Sequence, residues 1–408
     1  MTGKRRIEVI VLSVAALICL FYGCSRKQAG VSPKEDEVPE QPVADIDAYL
    51  WEKADSALST LTLEQRVGQC FFPALFSSSD PMTLRLFRQY VSDLHVGGIL
   101  LHKGDLSSAA YLATEAANLD IPLFVAIDAE WGLKMRLQDA PGFPKNGEID
   151  GGADEGLLFD YGREVARECR RTGINMVMGP VVDVVDNAYG IIGNRSFGAD
   201  PRRVSDFGRA YALGLESGGV LSVAKHFPGH GSSNIDSHHM LPVINRNLSS
   251  LDSIDLAPFK DYIQAGLSGI MVGHLAVPAI DSTLTPAAMS KIVIDDLLRK
   301  KLGFKGLIIT DALNMGGAAG YDSSDALKAG ADIIVSPGDI KKEIAKTIEM
   351  VRRGEITEEE INSKCRKILY FKYLVENDEA HTLRLDGLRE DINGRSDSIG
   401  LQLRYGLQ

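Results

Sequence analysis

G-L-I-I-T-D-A-L, residues 306–313, is an apolar run closed by one aspartate, Asp311. A strand with one wet face alternates apolar and polar side chains. This run is apolar at successive positions, as a parallel strand covered on both faces must be. Before it lie the amphipathic, helix-length stretch Ala287–Lys301 and Gly303, a residue suited to ending that helix. The same phrase recurs along the chain. Cys70–Phe76, Gly97–His102, Pro122–Asp128, Asn175–Val184, Leu221–Phe227, Gly269–Leu275 and Ala331–Pro337 are similar runs, which makes eight with Gly306–Leu313.

Helix-length stretches fall between these runs at Leu84–Leu94, Leu158–Arg171, Val204–Glu216 and Asp322–Ala329. Gly173, Gly218, Gly266 and Gly330 sit where such helices should end. Eight strand-then-helix units over about 300 residues predict a single TIM (β/α)8 barrel. An open doubly wound sheet is the rival. No G-x-G-x-x-G follows a strand, which weakens its dinucleotide-binding form. Two further helices are expected over Ile340–Arg353 and Thr357–Glu376, the second opened by Thr357 with Glu360 as a capping box.

In a barrel the active site lies at the C-terminal ends of the strands. Polar residues stand at several of these ends: Asp128, Lys225, His226, His274 and Asp311. Any one of them could merely cap the next helix. Five on one face are harder to explain that way. The densest stretch, Lys225–His239, reads K-H-F-P-G-H-G-S-S-N-I-D-S-H-H and holds four of the eight histidines. His226, His230, His238 and His239 could be metal ligands, but their spacing matches no H-E-x-x-H or cysteine-containing site. Gly229 and Gly231 suit instead a loop that carries chemistry from a rigid strand end.

K-H-F-P-G-H-G followed by D-S-H resembles the signature of glycoside hydrolase family 3, in its single-barrel β-N-acetylglucosaminidase branch. Asp128-Ala129-Glu130 with Arg136, Asn194-Arg195-Ser196-Phe197-Gly198, and Ile309-Thr310-Asp311 resemble further segments of that family. The resemblance spans about residues 55 to 375. It implies a retaining glycosidase with Asp311 as nucleophile and His238, partnered by Asp236, as acid/base. A carboxylate on one ring nitrogen fixes the tautomer and raises the basicity of the other. Neighbouring His239 competes for that role, and motif spacing favours His238. Asp128, Arg136, Arg195, Lys225, His226 and His274 are then expected to bind the terminal sugar, a β-linked N-acetylglucosamine. No cofactor is implied. One departure stands out: Trp131-Gly132 occupies a place where the family commonly has two glycines. A phosphorylase built from the same residues, another β-glycosidase of the family, and an inactive glycan-binding surface lipoprotein are the rival readings.

The chain has 408 residues and a net charge of −11, which argues against nucleic-acid binding. Lys4, Arg5 and Arg6 precede an apolar run, Val9–Tyr22, too short to span a membrane comfortably. Cys24 after Gly23 resembles a bacterial lipoprotein cleavage site. Residues 1–24 are therefore expected to be a lipoprotein-type signal segment, with a lipid on Cys24 holding the protein to a membrane of the cell envelope. Residues 25–45 are expected to be a flexible tether, 46–376 the barrel, and 377–408 a partly helical tail packed on the outside. The stretch from Leu385 also looks like the start of a linker to the second domain many family members carry. Cys70, Cys169 and Cys365 show no metal spacing and read as small buried residues.

Overall fold

The computed structural model describes residues 46–186, 190–233, 235–376 and 386–406. The expected signal segment with Cys24 and the expected tether lie outside the described residues. Among the described residues nine strands form: β1 Phe71–Phe72, β2 Ala74–Ser77, β3 Gly98–Gly104, β4 Phe124–Ile127, β5 Met176–Val177, β6 Leu221–Phe227, β7 Gly269–Val272, β8 Leu307–Thr310 and β9 Ile334–Val335. Strands β2 to β8 make one seven-stranded parallel sheet in chain order, and β1 pairs with β9. A parallel bridge between Ile309 and Ile333 ties β8 to the approach of β9.

Every expected apolar run carries strand, with shortenings that have local causes. Cys70–Phe76 is split at Pro73, which has no N–H to give to a ladder. In Asn175–Val184 only Met176–Val177 is strand. Beyond Pro180 the chain still follows its neighbour, and the Val182 amide donates to the Lys225 carbonyl at 2.9 Å. The helices begin where capping side chains stand. Asp154, Asp200, Asp339 and Thr357 each accept from a first-turn amide, an interaction typically worth about 1 kcal/mol. Gly173, Gly266, Gly303 and Gly330 are left-handed as expected; after the helix Pro201–Ser217 that conformation falls on Gly219 rather than Gly218. Cys70, Cys169 and Cys365 are free and buried. Burial pushes the Cys365 thiol up to about 12, so it stays protonated and unreactive.

The C-terminal stretch is helical, as expected of the tail, and packs on the helices Leu106–Ala117 and Glu155–Arg171. Leu388–Tyr405 is an 18-residue helix. Its Leu388, Ile392 and Leu403 belong to the main apolar core. Arg167 donates to the Asp391 and Ile392 carbonyls, both at 3.1 Å, and the Leu403 carbonyl accepts from the Asp150 amide at 2.8 Å.

One buried contact of this helix has a pH consequence. Ser396 donates to Glu168 at 2.7 Å in a fully buried setting. Burial pushes the Glu168 carboxyl up to about 8, whereas in an unfolded chain a glutamate ionises at about 4.3. Between those values the native state holds the extra proton. Stability therefore falls as pH rises from about 4.3 to about 8, then levels off. Glu168→Gln should raise unfolding stability by roughly 5 kcal/mol at pH 8 and change little at pH 4.5. Denaturant titrations at the two pH values check this; an equal change at both would contradict it.

Candidate active site

The polar strand ends meet around a cavity of about 470 Å³. β4 delivers Asp128 and Glu130, β6 delivers Lys225 and His226, and β8 delivers Asp311. Lys225 stands between two carboxylates, with Nζ 2.8 Å from Asp128 Oδ1 and 2.8 Å from Glu130 Oε1. Arg136 donates to the other oxygen of Asp128 at 2.5 Å. Arg195 holds Glu130 with two parallel bonds of 2.8 and 2.7 Å, the fork geometry that fixes both planes. Burial opposes the charge on both acids. For Glu130, Lys225 and Arg195 overcome it and hold the carboxyl down at about 2. Asp128 is likewise held low by Lys225 and Arg136. These four side chains and Arg136 form a rigid, fully ionised frame that can direct hydrogen bonds to sugar hydroxyls.

Asp311 is bound differently. Its Oδ1 accepts from the Ala312 amide at 2.8 Å. Among the described residues no lysine or arginine forms an ion pair with it. Burial works against its charge, and His226, His274, the Ala312 amide and Lys225 together hold it below the usual carboxylate range. Arg195 is engaged by Glu130. The result is an ionised carboxylate with unused lone pairs facing a cavity, the state a nucleophile requires.

Asp236 and His238 pair as expected. Asp236 Oδ1 accepts from the His238 ring Nδ1 at 2.7 Å and from the His238 amide at 2.9 Å. The second ring nitrogen of His238 is therefore left for chemistry, and the residue lines the cavity. His239 is 4.0 Å from Asp236, highly exposed, and not part of the cavity wall. His274 corrects the expectation of sugar contact. It is fully buried, does not line the cavity, and donates from Nε2 to the Ala312 carbonyl at 3.1 Å. It braces the backbone beside Asp311. Trp131 does line the cavity, and the Lys145 ammonium lies 5.3 Å from its ring centroid, a cation–π distance. Among the described residues no cluster of three or more His, Cys, Asp or Glu is placed to hold a metal ion, so the four histidines do not assemble as ligands.

The profile described as "Glycosyl hydrolase family 3 N terminal domain" matches residues 62–371. The chain belongs to glycosyl hydrolase family 3. A relative from Chromobacterium violaceum named beta-hexosaminidase is 36% identical over 256 residues, covering 59% of this chain and 71% of that protein. The structure of a family 3 β-N-acetylglucosaminidase from Paenibacillus sp. str. FPU-7 matches with a TM-score of 0.73 at 30% identity, over 82% of this chain and 68% of that one. A β-glucoside phosphorylase named BglX matches with a TM-score of 0.80 at 21% identity, over 87% of this chain and 66% of that one, which shows the fold alone.

Within this family 3 site, three residues had no assigned role from sequence. Glu130 is the hub of the frame, although it was quoted only as part of a motif. Asp183, fully buried, accepts from the His226 ring at 2.8 Å and from the His230 amide at 2.7 Å. A lone aspartate within the apolar run Asn175–Val184 was its only signal. His230 lines the cavity, and its two buried ring nitrogens have no partner among the described residues. A bound hydroxyl or water can meet them.

Proposed function

We propose that this chain is a retaining, exo-acting β-N-acetylhexosaminidase that removes terminal β-linked N-acetylglucosamine from glycans or peptidoglycan fragments. One observation carries the reading: the cavity holds an ionised aspartate, Asp311, with no ion pair among the described residues, together with a histidine oriented by Asp236. The names of the beta-hexosaminidase relative and the β-N-acetylglucosaminidase structure support the sugar.

In this reading Asp128, Arg136, Arg195, Lys225 and His226 hold the terminal sugar with its anomeric carbon over Asp311. The protonated His238 ring gives its proton to the glycosidic oxygen as that bond breaks. Asp311 forms the new bond to the anomeric carbon, giving a covalent glycosyl-enzyme. The neutral ring then takes a proton from water. The hydroxide so formed attacks the anomeric carbon, and Asp311 leaves with its electron pair. Asp236 stabilises the charged ring at each stage.

The finer architecture and the location belong to the same proposal. β1 and β2 are read as halves of one strand, so that the sheet and the β1–β9 pair close as a single (β/α)8 barrel. The sequence layout of residues 1–24 supports a lipid anchor at Cys24 and a place in the cell envelope.

The test is release of chromophore from a β-N-acetylglucosaminide, with and without inorganic phosphate. Equal rates and free N-acetylglucosamine are expected. No release, or release of a sugar 1-phosphate only when phosphate is present, would overturn hydrolysis.

A further inference from the structure

We propose that Gly316 and Gly317 form the seat that fixes the acid/base segment beside the nucleophile, which makes Gly316 a positioning residue for His238. The proposal rests on the reading of Asp236 and His238 given above. The two glycines lie in a short turn, Gly316–Ala318, that follows β8 and Asp311. The Gly316 amide donates to the His238 carbonyl at 3.0 Å, and the Gly317 amide donates to the Ser237 carbonyl at 2.9 Å. Two consecutive backbone bonds thus join the segment carrying the acid/base to the segment carrying the nucleophile.

The acid/base segment has little else to hold it in place. Among the described residues its other backbone bonds are local, from the His239 and Met240 amides to the Asp236 carbonyl. Ile235 and Met240 are exposed, and the His238 side chain is 64% exposed. Apolar burial therefore contributes little to the placement of the ring, and the glycine amides carry most of it.

Sterics restrict the seat to glycine. A Cβ at position 316 would lie 2.5 Å from the His239 carbonyl oxygen and 3.0 Å from that of His238. These are backbone atoms, so the whole segment must move to admit it. At position 317 a Cβ would meet the Ser237 oxygen and the His274 Cβ, both at 3.0 Å. Gly316 is not in a left-handed conformation. Alanine can adopt its backbone without strain, so the clash falls on the docked segment and not on the turn itself.

A proton donor displaced by about 1 Å loses roughly 100-fold in rate. The test uses the full chain with Gly316→Ala. Hydrolysis of a β-linked N-acetylglucosamine disaccharide should fall about 100-fold in kcat, with KM little changed. The first-turnover burst from a dinitrophenyl β-N-acetylglucosaminide should stay near wild type, because that leaving group departs without a proton. Azide, which needs no general base, should restore turnover of the dinitrophenyl substrate. Hydrogen exchange at the amides of Ser237 to His239 should accelerate. Gly317→Ala, with its softer clash, should change each readout in the same direction but less, and it serves if Gly316→Ala does not fold. Equal losses on both substrates, or no loss on the disaccharide with unchanged exchange, would overturn the proposal. If the wild type cleaves neither substrate, the hexosaminidase reading fails, and the seat is judged by exchange alone: acceleration supports it and no change overturns it.

Discussion

Asp311→Ala is expected to lower turnover of a β-N-acetylglucosaminide by roughly 10⁴-fold or more, as loss of a covalent nucleophile does, while leaving the protein folded. The separation of these effects follows from the contacts. The Asp311 amide donates to the Val272 carbonyl at 2.9 Å, a bond the substitution keeps. The side chain gives up one bond, from the Ala312 amide. No ion pair is broken, because Lys225 and the two arginines are bound to Asp128 and Glu130. Azide can then take the place of the missing carboxylate and attack from the same side. The product should be the α-glycosyl azide, inverted from the substrate. A thermal melt close to wild type, with activity lost and the α-azide formed, is the expected set of results. A small loss of activity would remove Asp311 from the chemistry.

The second large effect concerns the acid/base pair, and its signature is dependence on the leaving group. His238→Ala should slow cleavage of a sugar leaving group by about 10²- to 10⁴-fold, the usual worth of general acid catalysis. With an acidic phenol as leaving group, bond breaking needs no proton, and only the second half of the reaction should slow. Azide should then accelerate turnover and give the β-glycosyl azide, opposite in configuration to the Asp311→Ala product. Asp236→Asn tests the partner. Burial opposes charge on Asp236, but the His238 amide and ring hold its carboxyl below the usual range. It is thus ionised at neutral pH and able to stabilise the protonated ring. The amide keeps an acceptor but removes that charge, so a smaller loss with the same leaving-group pattern is expected. A loss independent of the leaving group would assign the pair to binding or structure.

The strand ends were legible in the sequence because a buried parallel strand announces itself as an unbroken apolar run. The residue that ends it then stands out, as Asp128, Lys225, His226 and Asp311 do. The Asp236–His238 pair was legible through the resemblance of the D-S-H segment to the family signature, and two residues of separation in a turn are enough to bring the groups together. What escaped depended on contacts distant in sequence. Glu130 becomes a hub only when Arg195 and Lys225 arrive from other strand ends. His274 has the look of a sugar ligand, yet its ring turns to the Ala312 carbonyl, a direction no local pattern encodes. The helix Leu388–Tyr405 was legible only as a partly helical tail, without its bounds, because few of its residues face the core. Leu388, Ile392 and Leu403 anchor it amid polar residues and glycines, too sparse a stripe to read as amphipathic.

The glycosyl-enzyme bond is the most direct object of measurement. A slow, mechanism-based fluoro-sugar substrate should form it quickly and release it slowly. Mass spectrometry of the digested protein should then find one N-acetylhexosamine-type adduct, on the peptide that carries Asp311, with none in Asp311→Ala. A wild-type protein that turns over the substrate without an adduct there, or with the adduct on another carboxylate, would contradict the account.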